Sequence, residues 1–293
     1  MNLREIFGLT KAAFKGWSDD EAASMGAALA FYTLFSMAPL LLLVISLAGL
    51  VIGTDTARDL IHTQLVTLLG DKGASAVQSV LQAADDRAEG FVAATVSFLT
   101  LILGATTVFA ELRRDLDIIW KTKKKEKEHG LWKLIGGRVW SFGLVLTIGF
   151  LLMISLAMSA AVTALGSYFA ASLPGAPFIL RSLEFLVSFL VITGLFAMIY
   201  KILPSARIEW RDVWVGAAVT SLLFWVGKYL IGLYIAKSAV ASPFGAAGTL
   251  VVVIVWVYYS AQIFFLGAEF TRAYAMREGS RQASELDYKR ITP

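Results

Sequence analysis

Apolar residues in this chain come in long runs, and polar residues gather between them. The clearest pair of runs, 213–236 and 246–270, is joined by a turn holding Ser242-Pro243-Phe244-Gly245. About 20 helical residues at 1.5 Å each cross the hydrocarbon of a bilayer, so each run can span one. Runs of the same character at 24–52, 91–110, 139–165 and 179–203 bring the expected total to six membrane helices. Two further segments are amphipathic. Leu3, Ile6, Phe7, Thr10, Phe14 and Trp17 share one helical face and Arg4, Lys11 and Lys15 another. That predicts an N-terminal helix lying at the membrane interface or packed on the bundle. Between 53 and 90, Leu60, Ile61 and Leu65 mark one short outer helix and Val77, Val80 and Leu81 a second. Gly70-Asp71-Lys72-Gly73 is expected to break them apart. The predicted fold is all-α: one membrane domain over 1–275 and a polar tail over 276–293.

Composition supports the membrane reading. The chain is 57% hydrophobic and only 16% charged, too apolar to leave a surface for water. The charges also orient it. Twenty Lys and Arg fall at the N-terminus, in the 111–138 and 201–212 loops and at the C-terminal end; five fall on the opposite loops, and Lys228 lies inside a span. The positive-inside rule then puts both termini in the cytoplasm and 53–90 outside. The formal charge of +4 gathers at membrane-flanking loops rather than along a groove, so nucleic acid is not an expected partner. With no cysteine and only His62 and His129, neither a thiolate nor a histidine-cluster metal site is expected. No cofactor is implied.

Polar groups inside the spans are expensive and need a reason. Lys228 lies about 15 residues into span five, roughly 22 Å from the inner edge. It either snorkels to headgroups, pairs with Glu184 near the outer end of span four, or lines a polar cavity. Tyr258 and Gln262 are four apart on span six and share a face. Glu269 sits near the inner end of that span, within reach of Arg272, Arg207 or Arg211. Pro39 in span one frees the carbonyl of Phe35, and Ser36 and Tyr32 lie one and two turns earlier.

Three stretches resemble the YihY/BrkB family of bacterial inner-membrane proteins: ALAFYTLFSMAPLLLL, SFLTLILGATTVFAELRRDLDIIW, and the block from Leu203 to Ala275 with GKYLIGLY and FGAAGTLVVVIVWVYYSAQIFFLGAEFTRAYA. The resemblance covers nearly the whole chain. Family members often carry Asn ahead of the Ile-Trp where this chain reads Asp117-Ile118-Ile119-Trp120, and Tyr where it has Phe244. The resemblance implies a six-span inner-membrane protein. It also carries an older label, ribonuclease BN. RNA hydrolysis needs a metal cluster or a paired acid and base beside a basic groove, and this sequence offers neither. An enzyme is therefore not expected. The expectation is a transporter-like protein moving a lipid or an amphipathic or anionic solute, with Lys228, Glu184, Tyr32, Ser36, Pro39, Tyr258, Gln262 and Glu269 around its path. The alternative is a non-transporting membrane scaffold for envelope assembly. Membrane lipids are the expected partners in either case.

Overall fold

A computed structural model describes residues 3–85, 107–122, 176–237 and 248–280. Among these the regular structure is all helical, in seven helices. They are α1 (Leu3–Asp19), α2 (Ala22–Ile52), α3 (Thr54–Asp85), α4 (107–119), α5 (Ala176–Ile202), α6 (Trp210–Lys237) and α7 (Gly248–Arg277). Helix α7 is the centre of the packing, touching α1, α2, α3 and α6. Among the described residues, α5, α6 and α7 each hold a stretch long and apolar enough to cross a membrane, and α2 a shorter one over Ala22–Met37. The expected spans 91–110 and 139–165 lie outside the described residues except for 107–110, which belong to α4. The 238–247 turn lies outside them too.

Helix α2 runs through 31 residues without a single charge. It stops at Gly53, whose positive φ of 85° suits a residue with no Cβ and lets its N–H reach the Gly49 carbonyl at 2.9 Å. Proline is tolerated within it, since the helix continues through Pro39. The Ser36 hydroxyl donates to the Thr33 carbonyl at 3.2 Å, however, and not to the Phe35 carbonyl that the proline frees.

The outer segment corrects the prediction. Residues 54–85 form one helix rather than two short ones. Gly73, Ala74 and Ala76 are buried, and Val77 packs with Val252 and Val253 of α7. Burial of this small-residue stretch outweighs the roughly 1 kcal/mol that each helical glycine costs. The helix is nonetheless not straight. Ile61 and Leu81, twenty residues apart, line one cleft beside Leu42 and Ile45 on a single turn of α2. A straight helix would hold them about 30 Å apart and on opposite faces. The axis therefore bends sharply between Leu65 and Gln78, where Gly70 and Gly73 stand.

Helix α1 uses its apolar face twice. Leu9 and Ala13 are buried with Phe270 of α7, while Ile6, Phe7 and Phe14 remain exposed beside that contact. Apolar side chains are likewise left open along α6, among them Trp225, Leu230 and Tyr234. Such a surface suits hydrocarbon rather than water.

Candidate functional site

The polar residues of α7 are placed by notches in the helices around it. A Cβ on Gly26 of α2 would overlap Gln262 Nε2, and one on Gly16 of α1 would overlap the Glu269 carboxylate, standing 2.7 Å from its Cδ. One on Gly216 of α6 would overlap Thr271. Small residues allow this close approach, and each receives a polar side chain. Gln262 and Glu269 are seven apart, so both meet the α1–α2 side of the bundle. Gln262 Nε2 donates to the Ala22 carbonyl at 3.4 Å.

Glu269 is only 2% exposed. Its Oε2 lies 3.4 Å from Arg272 Nη1, one turn further along α7. The charges acting on it are Arg272 on its own helix, Asp20 from the α1–α2 junction and Lys121 from the end of α4, and the Asp20 and Glu269 carboxyls stand within hydrogen-bonding reach of each other. Asp20 is buried and ion-paired to Lys121. Two acids and two bases from three places in the chain thus meet at one end of α7. They are not fully satisfied: Arg272 Nε makes no hydrogen bond, and Asp20 Oδ2 and Glu269 Oε1 have no donor except a proton shared between the two carboxyls.

Backbone conformation adds to this picture. Among the described residues, two non-glycine residues have positive φ: Glu21 at 55° and Lys121 at 50°. One follows Asp20 directly; the other is its partner. Lys121 ends α4 in a left-handed turn in which the Thr122 N–H reaches back to the Asp117 carbonyl at 3.0 Å. A side chain held there costs on the order of 1 kcal/mol, and strain of this kind gathers at functional sites.

Three other acids, Asp115 and Asp212 buried and Asp117 partly so, have different roles. Asp117 accepts from Ser205 N–H at 2.6 Å and Ser205 Oγ at 2.9 Å, tying α4 to the α5–α6 loop. Asp212 at the start of α6 accepts from Ser280 N–H and Oγ, at 3.1 and 2.6 Å, and clamps the end of α7. Asp115 has no such partner, only Arg114 Nε at 3.8 Å. Burial first, and Glu111 second, push its carboxyl up to about 7 from the usual 3.8, against the pull of Arg114. The folded state therefore holds this proton more tightly than the unfolded chain. The resulting stabilisation is complete below about pH 4 and is lost as pH rises through about 7. Asp115→Asn should flatten that dependence. Between pH 5 and 8 in detergent, wild-type Tm should fall relative to the variant, and parallel curves would contradict the assignment.

The residues singled out from sequence do not all converge. Glu269 and Gln262 both face the α1–α2 junction. Lys228 lies over the Tyr229 ring, 5.4 Å from its centroid. It stands level with Tyr259 on α7, because Gly227 packs on Tyr259 and Ile263. That is about 15 Å along the bundle from Glu269. Tyr258 is half-buried on α7, and Tyr32 and Ser36 lie one turn apart on α2. The side chains of Glu184 and Pro39 are outside the described residues. Asp20 and Lys121 were missed. Asp20 sits in an Asp19-Asp20-Glu21 run and Lys121 at the head of a lysine run, and both look like solvated charge.

A sequence model of a family described as Virulence factor BrkB matches residues 13–291. A UPF0761 membrane protein of Pseudoalteromonas translucida (strain TAC 125) is 27% identical over 256 residues, covering 86% of this chain and 81% of the relative. One from Vibrio vulnificus (strain CMCP6) is 25% identical over 264 residues, covering 88% and 79%. One from Pseudomonas aeruginosa (strain LESB58) is 25% identical over 252 residues, and there the chain spans only 58% of the relative. No solved structure matches.

Proposed function

Because the chain belongs to the BrkB family of membrane proteins, we propose that it is a transporter-like protein that moves a lipid, or an amphipathic or anionic solute, between its helices. In this reading it sits in a bacterial inner membrane with both termini in the cytoplasm. The observation that carries the proposal is the Asp20–Lys121–Glu269–Arg272 cluster. A purely structural ion pair in a low dielectric is kept only when its hydrogen bonds are complete. Here a guanidinium nitrogen lacks a partner, two buried carboxyls have only each other for the oxygens that no base reaches, and the flanking backbone is strained at two positions. Unsatisfied buried groups of this kind ask for an exchanging water, ion or substrate.

The test is flux. Proteoliposomes carrying a fluorescent phospholipid should redistribute the label with the wild-type chain. Glu269→Gln keeps the shape of the side chain but can no longer ionise; it should lower the rate at least tenfold while leaving folded protein yield unchanged. A wild-type rate equal to that of empty liposomes would remove this substrate. A Glu269→Gln rate equal to wild type would separate the cluster from movement and favour the scaffold instead.

A further inference from the structure

Helix α1 turns only one side to the bundle, and we infer that its outward side binds anionic phospholipid at the headgroup level of the membrane. The inference goes beyond transport, since it needs only that the chain sits in a bilayer. Leu9, Ala13 and Gly16 make the inward side, packed on Phe270 and Glu269 of α7. The outward side carries Phe7 and Phe14, seven residues apart and 73% and 55% exposed. Beside that line runs a second one, Arg4, Lys11 and Lys15, spaced seven and four apart and all exposed. Two open rings thus stand next to three open bases on one short helix.

The bases are not already compensated. Among the described residues no acid pairs with Arg4, Lys11 or Lys15. Of the acids on α1, Glu5 falls toward the inward side, and Asp19, one turn past Lys15, makes no ion pair with it. The depth of the helix follows from its contacts. Gly16 meets Glu269 and Gly8 meets Arg277, so α1 runs antiparallel beside the last two turns of α7. The start of α6 is level with those turns, because Gly216 receives Thr271 and Asp212 holds Ser280. Trp210 and Trp214 stand exposed there, as residues of the membrane boundary do. Phe7 and Phe14 therefore lie in that same boundary layer, with the bases beside them at the level of lipid phosphates. A neutral lipid would satisfy the rings alone; three bases in line with no paired acid select net negative charge. Because the inward side of α1 also walls Glu269, lipid held outside steadies one side of the buried cluster.

Lipid-borne quenching tests this in the full chain. The sequence has no cysteine, so Thr10→Cys, at an exposed position one turn from Phe7 and Phe14, takes a single NBD fluorophore. The labelled protein is placed in phosphatidylcholine nanodiscs in which a minor, fixed share of lipid carries a nitroxide on its upper acyl chain. That share is either phosphatidylglycerol or phosphatidylcholine. Nitroxide phosphatidylglycerol should quench more strongly, corresponding to a local enrichment of at least about fivefold, the worth of one base near an anionic headgroup. The preference should fade at about 0.5 M salt. Arg4→Gln/Lys11→Gln/Lys15→Gln should abolish it, and the same three positions changed to Glu should reverse it. Equal quenching by the two lipids in the wild-type helix, or a preference unchanged in both triple variants, would overturn the inference. A fluorophore that neither lipid quenches would overturn it too, since water, a second copy or another protein would then cover this side. The experiment involves no movement across a bilayer, so it can fail while the flux test succeeds, and the reverse.

Discussion

Replacing Gly216 by alanine is expected to unfold or destabilise the α6–α7 pair, costing at least about 3 kcal/mol in a site this rigid. The reason is a reciprocal fit. On α6, Gly216 and Thr220 are four apart; on the antiparallel α7, Gly267 and Thr271 are four apart. Thr271 lies on Gly216, and Thr220 lies on Gly267. A Cβ at 216 would stand 2.6 Å from Thr271 Cβ and 2.8 Å from its Cγ2, so rotating the threonine brings no relief. Each threonine hydroxyl is spent on its own helix: Thr220 Oγ1 donates to the Gly216 carbonyl at 2.8 Å and Thr271 Oγ1 to the Gly267 carbonyl at 2.7 Å. Tyr200 of α5 seals the contact, donating to the Phe264 carbonyl at 2.7 Å and lying 3.1 Å from Thr220 Oγ1. Membrane abundance and Tm should both fall in Gly216→Ala. The double variant Gly216→Ala/Thr271→Gly, which exchanges which helix carries the knob, should recover a large part of the loss. A single variant as stable as wild type would mean that the helices do not approach this closely.

How far this arrangement could be read from the chain alone depends on the kind of signal. The helices α5, α6 and α7 begin and end within a few residues of their apolar runs, except that α7 continues to Arg277 beyond the expected 270. That extension carries Thr271, Arg272 and Tyr274, polar residues at which the apolar run reads as ending. They stay helical because Gly216 and α1 cover them. The continuity of the helix over 54–85 was hidden for the opposite reason: Gly70 and Gly73 read locally as a break and mark a bend instead, while the packing of Ala74, Ala76 and Val77 is visible only in three dimensions. Membership of the family was legible, because many polar and small residues agree in order and spacing. The buried cluster was half legible. Glu269 stands out as an acid within an apolar run. Asp20 and Lys121 are 101 residues apart in sequence, and no periodicity links them. Glycines such as Gly16 and Gly26 were legible as small residues but not as the sockets of particular side chains.

Removing the Lys121 ammonium should therefore have an effect out of proportion to its position at a helix end. Asp20 is almost fully buried while Lys121 is about half exposed, its side chain at 52%. Breaking a fully buried ion pair costs about 3–5 kcal/mol, because the remaining charge is left without compensation. Access of water to Lys121 lowers the expectation to roughly 2–3 kcal/mol, or a fall of about 5–10 °C in Tm. Lys121→Ala should show this fall, and Asp20→Asn placed on top of it should restore most of the stability, since the buried carboxylate that had lost its partner is then gone. Backbone strain makes a second, opposite contribution that can be separated. At φ 50° a glycine is relaxed where alanine is not. Lys121→Gly loses the same charge but should be more stable than Lys121→Ala by about 1 kcal/mol. If the two variants melt together, the left-handed turn is not strained; if Asp20→Asn brings no recovery, Lys121 is not the partner that holds this carboxylate. Recovery of stability without recovery of flux in the double variant would show that the charges are kept for what the protein does, since the fold would manage without them.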